Sequence, residues 1–106
     1  MILLPAARSI YAAVDPVPLR SPFAVLFAVA RAQLGLDAMR SAVVLFFNRD
    51  RSRCKLLFHD GSGFVLLYKR LDRGRFARVE PTRPGDRSVT IAHRELALLL
   101  EGVRPR

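Results

Sequence analysis

Residues Cys54 to Phe76 read CKLLFHDGSGFVLLYKRLDRGRF, and this stretch restricts the fold more than any other part of the chain. Two strand-like apolar runs, Cys54 to His59 and Phe64 to Leu71, flank Asp60-Gly61-Ser62-Gly63, and a short polar loop rich in glycine between such runs closes a β-hairpin. Side chains alternate along a strand. Cys54, Leu56 and Phe58 therefore share one face, with Lys55, Leu57 and His59 on the other. On the second strand Phe64, Leu66 and Tyr68 oppose Val65, Leu67 and Lys69. Both faces are apolar over much of their length. A hairpin of this kind needs cover on both sides, so the rest of the chain is expected to wrap it and leave its basic ends in water.

The 106 residues are read as a single domain, 1–106, large enough to bury a core. The formal charge is +9, from eighteen basic residues (sixteen of them arginine) against nine acids. That surplus favours polyanionic partners. An ordinary basic protein from an arginine-rich genome accounts for the composition equally well. The single cysteine, Cys54, rules out an internal disulfide and a cysteine zinc cluster, which fits a reducing cytoplasm. The start, MILLPAARS, lacks a basic segment before its apolar residues and is interrupted by Pro5, unlike a signal peptide. The longest apolar block, Pro22 to Ala30, is much shorter than the ~20 residues that span a bilayer. No membrane association is expected.

Within Ile2 to Val14, Ser9-Ile10-Tyr11 is the best edge-strand candidate. Asp15-Pro16-Val17-Pro18 imposes a turn or extended linker. Ser21 suits an N-cap with Pro22 at the first helical position, and Phe23, Leu26, Phe27, Ala30 and Leu34 recur at helical spacing before Gly35. This predicts a helix over about 22–34 with one buried face. Asp37 to Ser41 reads as a linker and Ala42 to Phe47 as a central strand. Asn48 to Arg53 is a polar, basic turn into the hairpin. Arg75 to Val79 is expected to add a fourth strand after the turn Asp72-Arg73-Gly74. Glu80 to Arg87 is a loop by composition. Ser88 to Ile91 is either a last short strand or an extended lead-in. A second helix, about 93–101, presents Leu96, Leu99, Leu100 and Val103, with Gly102 as its stop and a frayed tail beyond. The expected fold is α+β: an antiparallel β-meander of about four strands around the 54–71 hairpin, covered by two α-helices.

The basic cluster is the best functional signal. Nine cations between Arg49 and Arg78 face three acids, Asp50, Asp60 and Asp72. In a meander the Asn48 to Arg53 turn and the Lys69 to Arg75 segment lie at the same end, so Arg49, Arg51, Arg53, Lys69, Arg70, Arg73 and Arg75 converge as candidate nucleic-acid-binding residues. A solvated rim, or a dock for an acidic protein, explains the same residues. For the rings of Phe64 and Tyr68, core packing is preferred over base stacking. His59 beside Asp60 lacks a nearby nucleophile, and the carboxylates lie mostly in turns or beside arginines. No phosphate-binding glycine loop or zinc-ligand spacing occurs. No catalytic residue, cofactor or metal is expected.

The segment FFNRDRSRCKLLFHDGSGFVLLYKRLDRGRF, Phe46 to Phe76, and the closing LALLLEGV, Leu96 to Val103, resemble the accessory protein encoded beside the transposase in bacterial insertion sequences of family sixty-six, the TnpB or second-reading-frame protein. DG, GF, YKRL and GRF in fixed order carry the resemblance. It implies participation in transposition and brings no catalytic residues. The function expected is that of a non-enzymatic accessory factor, cytoplasmic, binding DNA at transposon ends through the arginine-rich surface and assisting the transposase. The alternative is an adaptor that docks on the transposase without binding DNA. Pro18-Leu19-Arg20-Ser21-Pro22 departs from the family pattern, keeping its arginine but not its acid or lysine.

Overall fold

The computed structural model describes residues 9–18 and 20–103. It is a mixed α/β structure with strands β1 (Ser9–Ala13), β2 (Ala42–Phe47), β3 (Arg53–His59), β4 (Phe64–Arg70) and β5 (Ser88–Thr90), and helices α1 (Phe23–Leu34), α2 (Leu36–Met39) and α3 (His93–Glu101). The readings that fell on residues 1–8, Leu19 and the 104–106 tail lie outside the described residues. One five-stranded sheet runs in the order β4-β3-β2-β1-β5.

The hairpin forms as its sequence dictates. Register runs from Arg53 opposite Arg70 to His59 opposite Phe64. Asp60 closes the loop: its carboxylate accepts the N–H groups of Ser62 and Gly63, both at 3.0 Å, while its own N–H donates to Gly63 O. β2 is buried along its whole length and pairs antiparallel with β3, so β2-β3-β4 is the expected meander.

Beyond that the four-strand antiparallel expectation needs correction. β1 pairs parallel with β2, and β5 pairs antiparallel with β1, so the sheet is mixed. Ser9 to Tyr11 belongs to an interior strand, not an edge. A parallel neighbour demands a long crossover, and residues 14–41, with α1 and α2, supply it. The expected fourth strand, Arg75 to Val79, does not extend the sheet. Among the described residues only Arg75 bridges, and its partner is Val103. The cause is Phe76, whose ring is 1% exposed and packs 5.5 Å from that of Phe47. Burying that ring draws the segment over the face of the sheet and leaves β4 as an edge.

Against the two expected helices the described residues hold three, because residues 36–39 of the expected linker make one more turn that buries Met39. Helix α1 starts at Phe23, one residue later than expected. Pro22 occupies the cap position without a side-chain bond, and Ser21 offers its carbonyl, not its hydroxyl, to Lys55 Nζ at 3.2 Å.

The two-sided cover is present. On one face Ile10, Val43, Leu45, Phe47, Cys54, Leu56, Phe58 and Phe76 form a cluster against which Leu96, Leu99 and Leu100 of α3 pack. On the other, Val44, Phe46 and Leu57 meet Leu26 and Ala30 of α1 and Met39 of α2. Burial of apolar surface, at roughly 25 cal/mol per Å², drives both layers. Burial pushes the Cys54 thiol up to about 12, so it stays protonated near neutrality and packs as a small apolar group.

Candidate nucleic-acid interface

The site is built around the turn from β2 to β3. Asn48 spans it: its N–H donates to Arg53 O at 3.3 Å, its Oδ1 accepts Arg53 N–H at 3.1 Å, and its amide donates to Ser52 Oγ at 3.2 Å. Asp50 closes a second ring, accepting Ser52 N–H at 3.0 Å and Ser52 Oγ–H at 2.6 Å. Arg51 sits at φ +57°, where non-glycine side chains are uncommon. Its conformation is compensated by two bonds to Phe76: Arg51 O accepts Phe76 N–H at 2.7 Å and Arg51 Nε donates to Phe76 O at 3.1 Å. Leu71 N–H reaches Ser52 O at 3.0 Å, tying the end of β4 to the same turn.

These bonds bring both predicted basic segments to one end of the sheet. Arg53 and Arg70 are directly opposed across β3 and β4 on the face shared by Lys55, Leu57, Leu66 and Tyr68. Opposed like charges are unfavourable in a ladder, and among the described residues neither guanidinium has a carboxylate within 4 Å. Lys69 lies on the opposite face and donates to Leu100 O at 2.7 Å, capping the C-terminal end of α3. Arg73 is exposed in the following turn and lines a shallow groove with Lys69, Arg70, Asp72 and Glu101. Arg75 joins Val103 through a pair of backbone bonds, 3.0 and 2.7 Å, so its position is set by the end of α3. Arg49 is exposed at the tip of the turn.

Two arginines join this end that were not among the seven. Arg78 lines a cleft with Arg49 and Arg51 beyond the ends of β1 and β2, and Arg87 arrives beside Val14, whose N–H donates to its carbonyl at 2.9 Å. Each has an exposed acid nearby, Glu80 at 3.7 Å and Asp15 at 3.8 Å. Nothing local in the sequence marks Arg87, because the parallel placement of β1 brings it there. Tyr68 also differs from expectation: it is 51% exposed, whereas Phe64 packs edge-on against Phe27 and His59. Arg51 proves to be a fold residue as well as a cation, so a charge reversal there also breaks the Phe76 contact.

The loops respond to acid in a defined direction. Side-chain and backbone hydrogen bonds from Ser52 hold Asp50 below its ordinary range, and backbone bonds from Ser62 and then Gly63 do the same for Asp60. A carboxylate whose folded pKa is depressed stabilises the fold above its unfolded value and loses that contribution as pH falls through the folded one. The urea midpoint is therefore expected to drop below about pH 4. Asp60→Asn should lose less than the parent between pH 6 and pH 3, measured by urea titration; equal losses would remove Asp60 from this account.

Fold and charge together define the class: a small mixed α/β protein whose five-stranded sheet carries an arginine-rich end. The chain belongs to the family described as IS66 Orf2 like protein, whose model matches residues 8–106. This is an accessory-protein family of an insertion sequence, which associates the chain with transposition. The chain is similar to an uncharacterized protein, y4hO, of Sinorhizobium fredii (strain NBRC 101917 / NGR234), 31% identical over 103 residues, covering 95% of this chain and 87% of that protein. No solved structure matches it. Among the described residues no helix is long and apolar enough to cross a membrane, and no three His, Cys, Asp or Glu residues gather as a metal-holding group.

Proposed function

We propose that this protein is a non-enzymatic accessory factor for transposition that binds DNA at transposon ends through the arginine-rich end of its sheet and assists the transposase there. The observation that supports this best is the convergence of Arg53, Arg70 and Arg73 at one rim without carboxylate partners among the described residues. Guanidinium groups spread over such a rim contact several phosphates at once and release their counterions. Contacts of this kind give affinity and register with little sequence information. Arg49, Arg75, Arg78 and Arg87 extend the rim. Arg51 and Lys69 hold the turn and the end of α3 in place behind it.

The test is a titration against a labelled transposon-end duplex and an unrelated duplex over a range of salt. Binding should weaken with a logarithmic slope of about −0.9 per phosphate contacted. Arg53→Glu, Arg70→Glu and Arg73→Glu together should reduce that slope by about three units while the urea midpoint stays close to that of the parent. A preference for the end sequence would add base or shape readout. Unchanged binding by the triple variant would remove this rim from the reading. Absence of binding to both duplexes at low salt would overturn DNA binding in favour of a dock on an acidic patch of the transposase.

A further inference from the structure

We propose that Tyr68 is a base-stacking platform, and that the outer end of the β3-β4 ribbon takes an unpaired, single-stranded segment of DNA. The inference rests on the DNA-binding reading and adds a ligand form and a residue to it.

Tyr68 stands two residues before the end of β4, which among the described residues is an edge strand paired with β3. Its directly opposed partner is Lys55, whose Nζ lies 5.6 Å from the ring centroid. Lys55 is itself held there by the Ser21 carbonyl at 3.2 Å. One side of the ring thus carries a fixed cation, and the ring as a whole remains 51% exposed. One step toward the rim on the same face stand Arg53 and Arg70. One step inward, Leu57 and Leu66 belong to the apolar layer under α1, which closes the strip. The result is a short track: an open aromatic face, a lysine against the ring and two guanidinium groups beyond it.

An exposed aromatic ring flanked by cations is how sequence-tolerant single-strand sites are built, because every base has a π-face and the cations follow the backbone. In a duplex the base faces are already occupied by their neighbours. A phosphate can accept the phenolic O–H but gains nothing from the ring face, so a variant that keeps the face and loses the hydroxyl tells the two contacts apart. Stacking therefore separates this proposal from phosphate contact alone.

The chain has no tryptophan and two tyrosines, so tyrosine emission reports the contact directly. In a Tyr11→Phe background, titration with a short oligothymidylate should quench the emission of Tyr68, with binding followed independently by anisotropy of a labelled oligonucleotide. Tyr68→Ala should weaken oligothymidylate binding by about 5- to 150-fold. Tyr68→Phe, which keeps the ring, should stay within about threefold of the parent, and duplex affinity and its salt slope should be unchanged in both variants. Oligothymidylate bound with no quenching, or bound equally well by Tyr68→Ala, overturns the platform. If the duplex binds with a steep salt slope while oligothymidylate does not bind, only this inference fails. If neither binds, the DNA-binding reading fails with it.

Discussion

Replacing Phe76 by alanine is expected to lower the free energy of unfolding by about 3–5 kcal/mol, the range for truncating a fully buried phenylalanine. Among the described residues this segment has no strand pairing beyond the Arg75 to Val103 bridge. Its ring, 1% exposed, lies against Phe47 within the cluster that α3 also covers. Removing it leaves a cavity between sheet and segment, and it loosens the two bonds that Arg51 makes to the Phe76 backbone. Urea unfolding followed by circular dichroism measures the loss. The consequence for function is also readable, because Arg73, Arg75 and Arg78 ride on the same segment. Where the variant remains folded, DNA binding should show a shallower salt slope than the parent. A loss of less than about 1 kcal/mol would mean that the segment is held by its backbone bonds and not by this ring.

Gly102→Ala is the second large effect, expected at about 2–4 kcal/mol. Gly102 ends α3 at φ +79°, a conformation that costs any side chain, and an added Cβ would stand 2.6 Å from Leu71 Cδ1 and 3.3 Å from Arg75 O. Leu71 can turn aside. The Arg75 carbonyl cannot do so cheaply, because it accepts Val103 N–H at 2.7 Å. Gly61 is the control: φ is +105° there and an added Cβ meets nothing within 4 Å, so its alanine variant carries backbone strain alone. The difference between the two urea midpoints isolates the contact. Equal midpoints would show that α3 moves off Leu71 without penalty.

Much of the candidate rim was legible because it depends on one short-range fact. Two strands joined by a four-residue loop must bring Arg53 and Arg70 to the same end, whatever else the chain does. The apolar alternation on both hairpin faces likewise required two covering layers, and α1 and α3 supply them. What alternation could not tell was the use made of each residue at that end. Lys69 and Arg70 are neighbours in sequence and lie on opposite faces, one against a helix carbonyl and one toward solvent. Arg51 looks like any other arginine of the turn until its φ and its bonds to Phe76 are seen. Tyr68 follows the same alternation as the half-buried Phe64, and only the tertiary structure tells that one packs against Phe27 of α1 while the other stays open.

By itself the sequence determined the hairpin, the flanking helices and the gathering of positive charge, since these follow from side-chain period and from turns a few residues long. The tertiary structure alone decided that β1 enters the sheet parallel to β2, that β5 closes its far edge and that Arg75 to Val79 lies across a face. Each of those outcomes depends on contacts between residues far apart in the chain. Their free energy comes from burying surfaces such as Phe76 on Phe47, which no local pattern encodes.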